Sequence, residues 1–227
     1  MTDLVKTRGY DNSRRRSASE QRRARVLTTA RAMFVERGYL GTTMAAVAER
    51  ADVAVDTVYE LVGRKPALFR LLIETAISGQ DDAVPAEERE YVRRIHAEPT
   101  ANGKLSLYAH VLPALHARLA PLVTVLQAAA SAEPQLADLW HEITERRAAN
   151  MRRLAAELAE TGDLAVPVEE AADVIWATNS AELYLLLVQQ RGWTPQHYAD
   201  WLADAWQRLL LHPTSTESPA ASRTGSR

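Results

Sequence analysis

Residues 43–62 read TMAAVAERADVAVDTVYELV, and their apolar positions fall into helical spacing twice, with a break between. Met44, Val47 and Ala48 make one face of a short helix that the Thr43 hydroxyl can cap. Ala51-Asp52-Val53 is a tight turn, and a second short helix follows over about residues 54–60. The turn needs a residue tolerant of left-handed backbone; Asp52 accepts it, at more strain than glycine. Ala48 and Val53 are small or branched enough for the place where the helices cross. Upstream, Val26, Leu27, Ala30, Met33 and Phe34 stripe a longer helix, with Ser19 as a plausible N-cap and Gly38 at its end. Two short helices joined by a three-residue turn and braced by a longer one specify a helix-turn-helix. Its second helix presents Ala54, Val55, Asp56 and Thr57, small enough to let the backbone sit deep in a major groove. Tyr59 and Lys65 stand beyond it, where a phenol and an ammonium can meet phosphates.

Outward from this unit the chain predicts an all-α fold. Helices are expected over about 65–79, 86–96, 104–118, 121–131, 135–161, 168–190 and 195–211, bordered by Pro121, Pro134, Gly162 with Pro167, and Gly192 with Pro195. Pro113 should kink or split the helix it falls in. Residues 1–18 read as a flexible basic arm, 19–65 as the helix-turn-helix domain, 66–212 as a helical body and 213–227 as a disordered Ser/Thr/Pro/Ala tail. No internal repeat, sustained heptad or alternating strand pattern is found.

Composition agrees. The 227 residues include 39 Ala and 27 Leu but only 19 Gly and Pro together, which favours helix throughout. Cys is absent, which removes disulfides, thiol chemistry and thiolate metal sites. No run of 18 unbroken apolar residues stands out, so no membrane span is expected. The first 30 residues carry seven arginines and no apolar core, so no secretory signal is expected and a cytoplasmic location is the default. The net charge of −2 hides an asymmetry: residues 1–70 sum to +6 and residues 71–227 to −8. A basic head on an acidic body suggests a polyanion partner for the head alone.

Residues about 22–72 resemble the DNA-binding domain of the TetR/AcrR family of transcriptional repressors. The matching pieces are the Ala30–Phe34 stripe, Gly38-Tyr39, Thr42-Thr43, Val47-Ala48, Ala51-Asp52-Val53, Thr57-Val58-Tyr59, Lys65 and Leu68. The resemblance implies that Thr43 and Lys65 touch the DNA backbone, that Val55, Asp56 and Thr57 face base edges, and that Tyr59 packs on sugar-phosphate. The family usually has Gly where Asp52 stands and often His where Glu60 stands. A carboxylate repels phosphate, so Glu60 is expected to point away from DNA. Asp56 could accept from a cytosine amino group, or instead cap or pair within the protein.

Two heads entering successive major grooves, about 34–36 Å apart, call for a homodimer on a pseudo-palindromic duplex operator. The ridges Ala177, Ala181, Leu185, Val188 and Trp201, Ala205, Leu209 are the candidate dimer faces; the resemblance implies that this helix pair forms a four-helix bundle with its mate. It also implies a small-molecule effector in the body whose binding shifts the spacing of the heads. Tyr108, His110, Trp140, Trp176, Asn179 and Tyr184, with His116, are the polar and aromatic candidates for lining that site. Asn179, if buried, must find partners: across a dimer, or at a local break in the helix. His141 and Glu145 are one turn apart, but a third ligand is not evident, and a solvated face with pairs such as Glu142–Arg146 is the expected reading. No G-x-S-x-G, phosphate loop or H-E-x-x-H is present. No metal, cofactor or catalytic residue is expected. The function expected is a repressor released by its effector; an effector-independent activator, or a helical enzyme or carrier using a body pocket, is the alternative.

Overall fold

Ala-rich stretches with periodic Leu and Val fold into helices that bury one stripe each. In the computed structural model, which describes residues 7–80 and 82–213 with side chains from residue 17 onward, these are α1 (Thr7–Arg37), α2 (Met44–Ala51), α3 (Val55–Val62), α4 (Lys65–Ser78), α5 (Glu90–Ala97), α6 (Ala101–Ala130), α7 (Pro134–Glu160), α8 (Val168–Thr178), α9 (Ala181–Tyr184) and α10 (Pro195–Leu210). A 3-10 turn at Ala86–Glu88 precedes α5, and a π-helical turn at Leu185–Gln190 extends α9. No strand occurs among the described residues; the lone β contact pairs Leu164 with Leu211.

The head follows the expected plan. Val26, Ala30, Met33 and Phe34 are buried on α1, which stops where Gly38 adopts φ 73° and donates to the Phe34 carbonyl. The buried Thr42 hydroxyl lies 2.9 Å from the Gly38 carbonyl and 3.1 Å from that of Met33, satisfying the helix end. The start of α1 differs from expectation. It begins at Thr7, not near Ser19: no proline interrupts Thr7–Arg37, and Arg14, Arg15, Arg16 and Ala18 favour helix although Gly9, Asp11, Asn12 and Ser13 do not. The first six residues of the expected arm, and all of the expected tail but Pro213, lie outside the described residues.

The body is organised on α6. Pro113 and Pro121 were expected to kink or divide it, yet one helix runs from Ala101 to Ala130. Each proline removes a backbone donor at a cost of about 3 kcal/mol. Against that, α6 is gripped by α4, α5, α7 and α10, with Leu105, Leu112, Ala120, Leu122 and Leu126 at zero exposure and the Pro113 ring itself buried. Full burial of each leucine returns about 1.5–3 kcal/mol, so packing wins. With mean hydropathy 1.3 over its most apolar window, α6 is long and apolar enough to cross a membrane even though no unbroken apolar run marks it; half of that window is buried in the core.

The single helix expected over 168–190 is broken. Thr178 turns its hydroxyl back to the Val174 carbonyl at 2.6 Å, Asn179 leaves helical geometry at φ −87° and ψ 63°, and the Ser180 hydroxyl caps α9 by accepting from the Leu183 amide. Thr-Asn-Ser supplies three side chains that compete with the helix backbone, which is why the break falls there. The fully buried Trp206 of α10 donates to Thr178 at 2.7 Å and locks the break against the core.

Head and body share apolar packing. Phe34, Tyr39 and Phe69 contact one another at centroid distances of 5.6, 5.0 and 5.4 Å, and belong to the same buried cluster as Leu122, Val125, Leu126 and Leu136. Phe69→Ala is expected to destabilise the protein by about 3–5 kcal/mol, read as a fall in the urea midpoint. A loss under about 1 kcal/mol would contradict this account of the junction.

Candidate nucleic-acid interface and body cavity

Local chemistry sets the helix-turn-helix. The Thr43 oxygen accepts from the Ala46 amide at 3.1 Å, fixing the start of α2. At its end Asp52 adopts φ 54° and ψ 54°, the left-handed geometry for which glycine is the least strained choice, and its amide closes on the Ala48 and Glu49 carbonyls. Met44, Val47, Ala48 and Ala51 of α2 and Val58 and Val62 of α3 are buried against α1, so the opposite face of α3 stands outward. It presents Val55 (38% exposed), Asp56 and Tyr59 (45% exposed), with Thr57 half-buried. Ala54 offers no capping side chain, leaving the first amides of α3 available to an anion.

Beyond α3, Gly63 turns the chain at φ 72° into α4. An open groove of about 730 Å³ here brings Tyr59 and Lys65 together with Met44, Arg64 and Pro66. Lys65 is half-buried, with its ammonium 4.1 Å from the centre of the Tyr39 ring. Burial pulls its pKa below the usual lysine value, opposed by Glu133. The residue is thus a positioned cation, pinned to the aromatic junction. Arg64, exposed in the same groove, was not singled out from sequence; a cation between Gly63 and Lys65 was the signal available.

A cavity of about 660 Å³ lies in the body, walled by α4, the segment from Ala83 to Tyr91, α6, α7 and the α8–α9 break. Of the candidates for lining it, Tyr108, Trp140 and Asn179 do, and so does His116. His110 does not. Two residues on from Tyr108, it is turned roughly 200° around α6 and faces solvent, bonding the Ser106 carbonyl at 2.7 Å and Asp200 at 3.0 Å. Trp176 and Tyr184 stand behind the wall: the first under the Arg147 guanidinium at 4.6 Å, the second against His116 at 5.6 Å. Asn179 sits at the helix break and points inward, its amide donating to the Tyr108 oxygen while its carbonyl accepts from Arg147.

Arg147 was missed by sequence reading, because a cation on a Glu/Arg-rich helix resembles its solvated neighbours. The neighbours also pair differently from expectation. Glu142 accepts from Arg70 at 2.6 Å and Arg146 donates to Glu74 at 2.7 Å, so both pairs tie α7 to α4 across helices. Burial, and secondarily Arg147, push His116 down to about 3, so the ring is neutral near pH 7. Burial raises Tyr108 above the ordinary phenol value, keeping it protonated. No group of three or more metal-ligating side chains occurs among the described residues.

Residues 26–72 match the family described as "Bacterial regulatory proteins, tetR family". No curated protein matches the chain. Solved structures are similar over most of its length. NalD, the secondary repressor of the MexAB-OprM multidrug efflux pump in Pseudomonas aeruginosa, is 18% identical with a TM-score of 0.66, over 86% of this chain and 98% of that one. A protein of Mesorhizobium loti described as a TetR-family transcriptional regulator is 21% identical, TM-score 0.61, over 86% and 98%. One from Saccharomonospora viridis, described as a transcriptional regulator and solved in complex with choline, is 16% identical, TM-score 0.63, over 84% and 98%. At these identities the likeness is one of fold. With the matched head it defines the class: a helix-turn-helix, DNA-binding transcriptional regulator. Its amino-terminal domain is that of the TetR family, on a body of the fold that these regulators share.

His116 gives a pH test. Its folded pKa lies below its unfolded value, so the unfolded chain takes up a proton first and stability falls as pH drops from about 6.5 towards 3. Between pH 6.5 and 5, above the carboxylate range, the wild type should lose about 1.5 kcal/mol by urea denaturation. His116→Phe should be flat over that window; an equal slope in both would refute the assignment.

Proposed function

We propose that the protein is a homodimeric, cytoplasmic repressor that binds a pseudo-palindromic duplex operator through α3 and is released by a small molecule bound in the body cavity. One observation carries this reading. Helix α4 begins with Lys65 in the groove beside Tyr59, and ends with Glu74 and Ile77 in the cavity wall. A ligand touching the second half of α4 therefore acts on the helix that positions the head. The repressor role of NalD and the choline bound to the Saccharomonospora protein support an operator and an effector for this fold.

In this reading Thr43, Arg64 and Lys65 hold phosphates, Val55, Asp56 and Thr57 face bases, and Tyr59 packs on the backbone. Dimerisation uses α9 with its π-helical extension and α10. On that side Leu186, Trp201 and Leu209 are exposed, whereas Ala181 faces inward onto the cavity and is removed from the expected ridge. The effector lowers DNA affinity only by its differential affinity for the two head spacings, typically about 1–3 kcal/mol of coupling.

Duplexes selected from a random pool should contain an inverted repeat, and Tyr59→Ala should weaken their retention in a gel by about 10–100-fold, the loss of one or two good contacts, with an unchanged melting temperature. Leu209→Glu should turn a dimer into a monomer in sedimentation and abolish operator binding. A wild-type monomer with no duplex preference at low salt would refute the proposal.

A further inference from the structure

Building on the reading of the cavity as an effector site, we propose that its ligand is an apolar monoanion, a carboxylate-headed amphiphile whose head group is held by Arg147, His116, Tyr108 and Asn179. One part of the cavity wall is apolar, made by Ile77, Leu115, Leu119, Val123 and Ile143. The other gathers donors that the fold leaves short of acceptors. The Arg147 guanidinium reaches the Asn179 carbonyl and lies over the Trp176 ring, but no carboxylate stands within ion-pairing distance of it among the described residues. Glu182, which acts on it from further away, already accepts from Gln127 at 2.5 Å. Arg146, by contrast, is neutralised by Glu74.

His116 is 2% exposed, and its Nδ1 has no hydrogen-bond partner among the described residues. The Tyr108 oxygen accepts from Asn179, so its own proton meets nothing stronger than the Met151 sulfur at 3.8 Å. A partly buried guanidinium without a carboxylate is costly, and its planar fork matches a carboxylate in two parallel bonds. The charged residues lining the cavity are four arginines and three glutamates, a net of +1 that one monoanion balances. A quaternary ammonium, the kind of group bound in the Saccharomonospora structure, would meet Arg147 as a like charge. The volume of about 660 Å³ is within the usual range of about 300–1,000 Å³ for small-molecule sites, with room for a tail along the apolar wall.

The test compares three ligands with one tail and different heads, decanoate, decan-1-ol and decyltrimethylammonium, by calorimetry on the full-length protein at pH 7.5 without DNA. Decanoate should bind at least about tenfold more tightly than decanol, and the cation should not bind, as expected for a charge-assisted head group. Arg147→Met should remove the advantage of decanoate while leaving decanol unchanged. Equal affinity for acid and alcohol, preference for the cation, or binding of none of the three would overturn the proposal. The wild-type comparison decides even if the variant fails to fold. Operator retention measured with decanoate separates the two readings: binding with this head-group preference but without release of DNA overturns the effector role and supports the head-group assignment.

Discussion

The contact of Phe34, Tyr39 and Phe69 is the constraint on which the arrangement rests. Phe34 and Phe69 are the only phenylalanines in the chain, and both are fully buried at this junction of α1, the α1–α2 turn and α4. The same cluster takes in Leu122, Val125 and Leu126 of α6 and Leu136 and Leu139 of α7. The head is thus not a bead on a tether: its core and the lower body's core are one. Lys65 closes the far side of Tyr39, so the cation that borders the groove beside α3 is held by the aromatic residues that join head to body.

A second set of bonds fixes the other end of α4. Arg118 of α6 donates to the Ala76 carbonyl at 3.1 Å, and its own carbonyl accepts from Arg31 of α1 at 2.6 Å. Gly79 ends α4 at φ 70°, and a Cβ there would come within 2.8 Å of the Arg118 guanidinium. Glycine is therefore favoured by the left-handed turn, while the Arg118 side chain could give way to a Cβ. Arg70–Glu142 and Glu74–Arg146 tie α4 to α7 between these two ends. Exposed pairs of this kind are individually worth about 0–1 kcal/mol, so they set register while the apolar junction supplies the stability.

Much of this was legible from sequence because it is local. The Thr43 cap, the left-handed Asp52 turn, the Gly38 and Gly63 stops and the inward faces of α2 and α3 depend on neighbours within a few residues. What was not legible is non-local. The continuity of α6 across Pro113 and Pro121 depends on four helices packing around it, which outweighs a correct local rule about proline. The break at Asn179 was one of two open readings, and only packing against Tyr108 and Trp206 decides it. His110 and Tyr108 are both polar rings on α6, and their helical phase relative to α7 separates a surface residue from a cavity residue. Arg147 is the hardest case: its neighbours Arg146 and Glu145 are exposed, and nothing in the periodicity of α7 marks which arginine turns inward.

In the proposed function, the placement of Arg147 bears on how the body cavity would be coupled to the head. Its guanidinium holds the carbonyl of Asn179, the residue at which α8 gives way to α9, and the Asn179 side chain holds Tyr108. Any group that takes over Arg147 or Tyr108 alters the bonds that fix the break, and Ala181 and Glu182, just beyond it, already face the same cavity. The opposite wall is α4. One cavity therefore adjoins both the segment that leads to the exposed Leu186 and the helix that leads to Lys65. The buried α6 between them makes a change on one side hard to absorb locally, because a close-packed core deforms little and transmits displacement. Under the proposed function, the energy for such a change is limited to the difference in ligand affinity between the two arrangements.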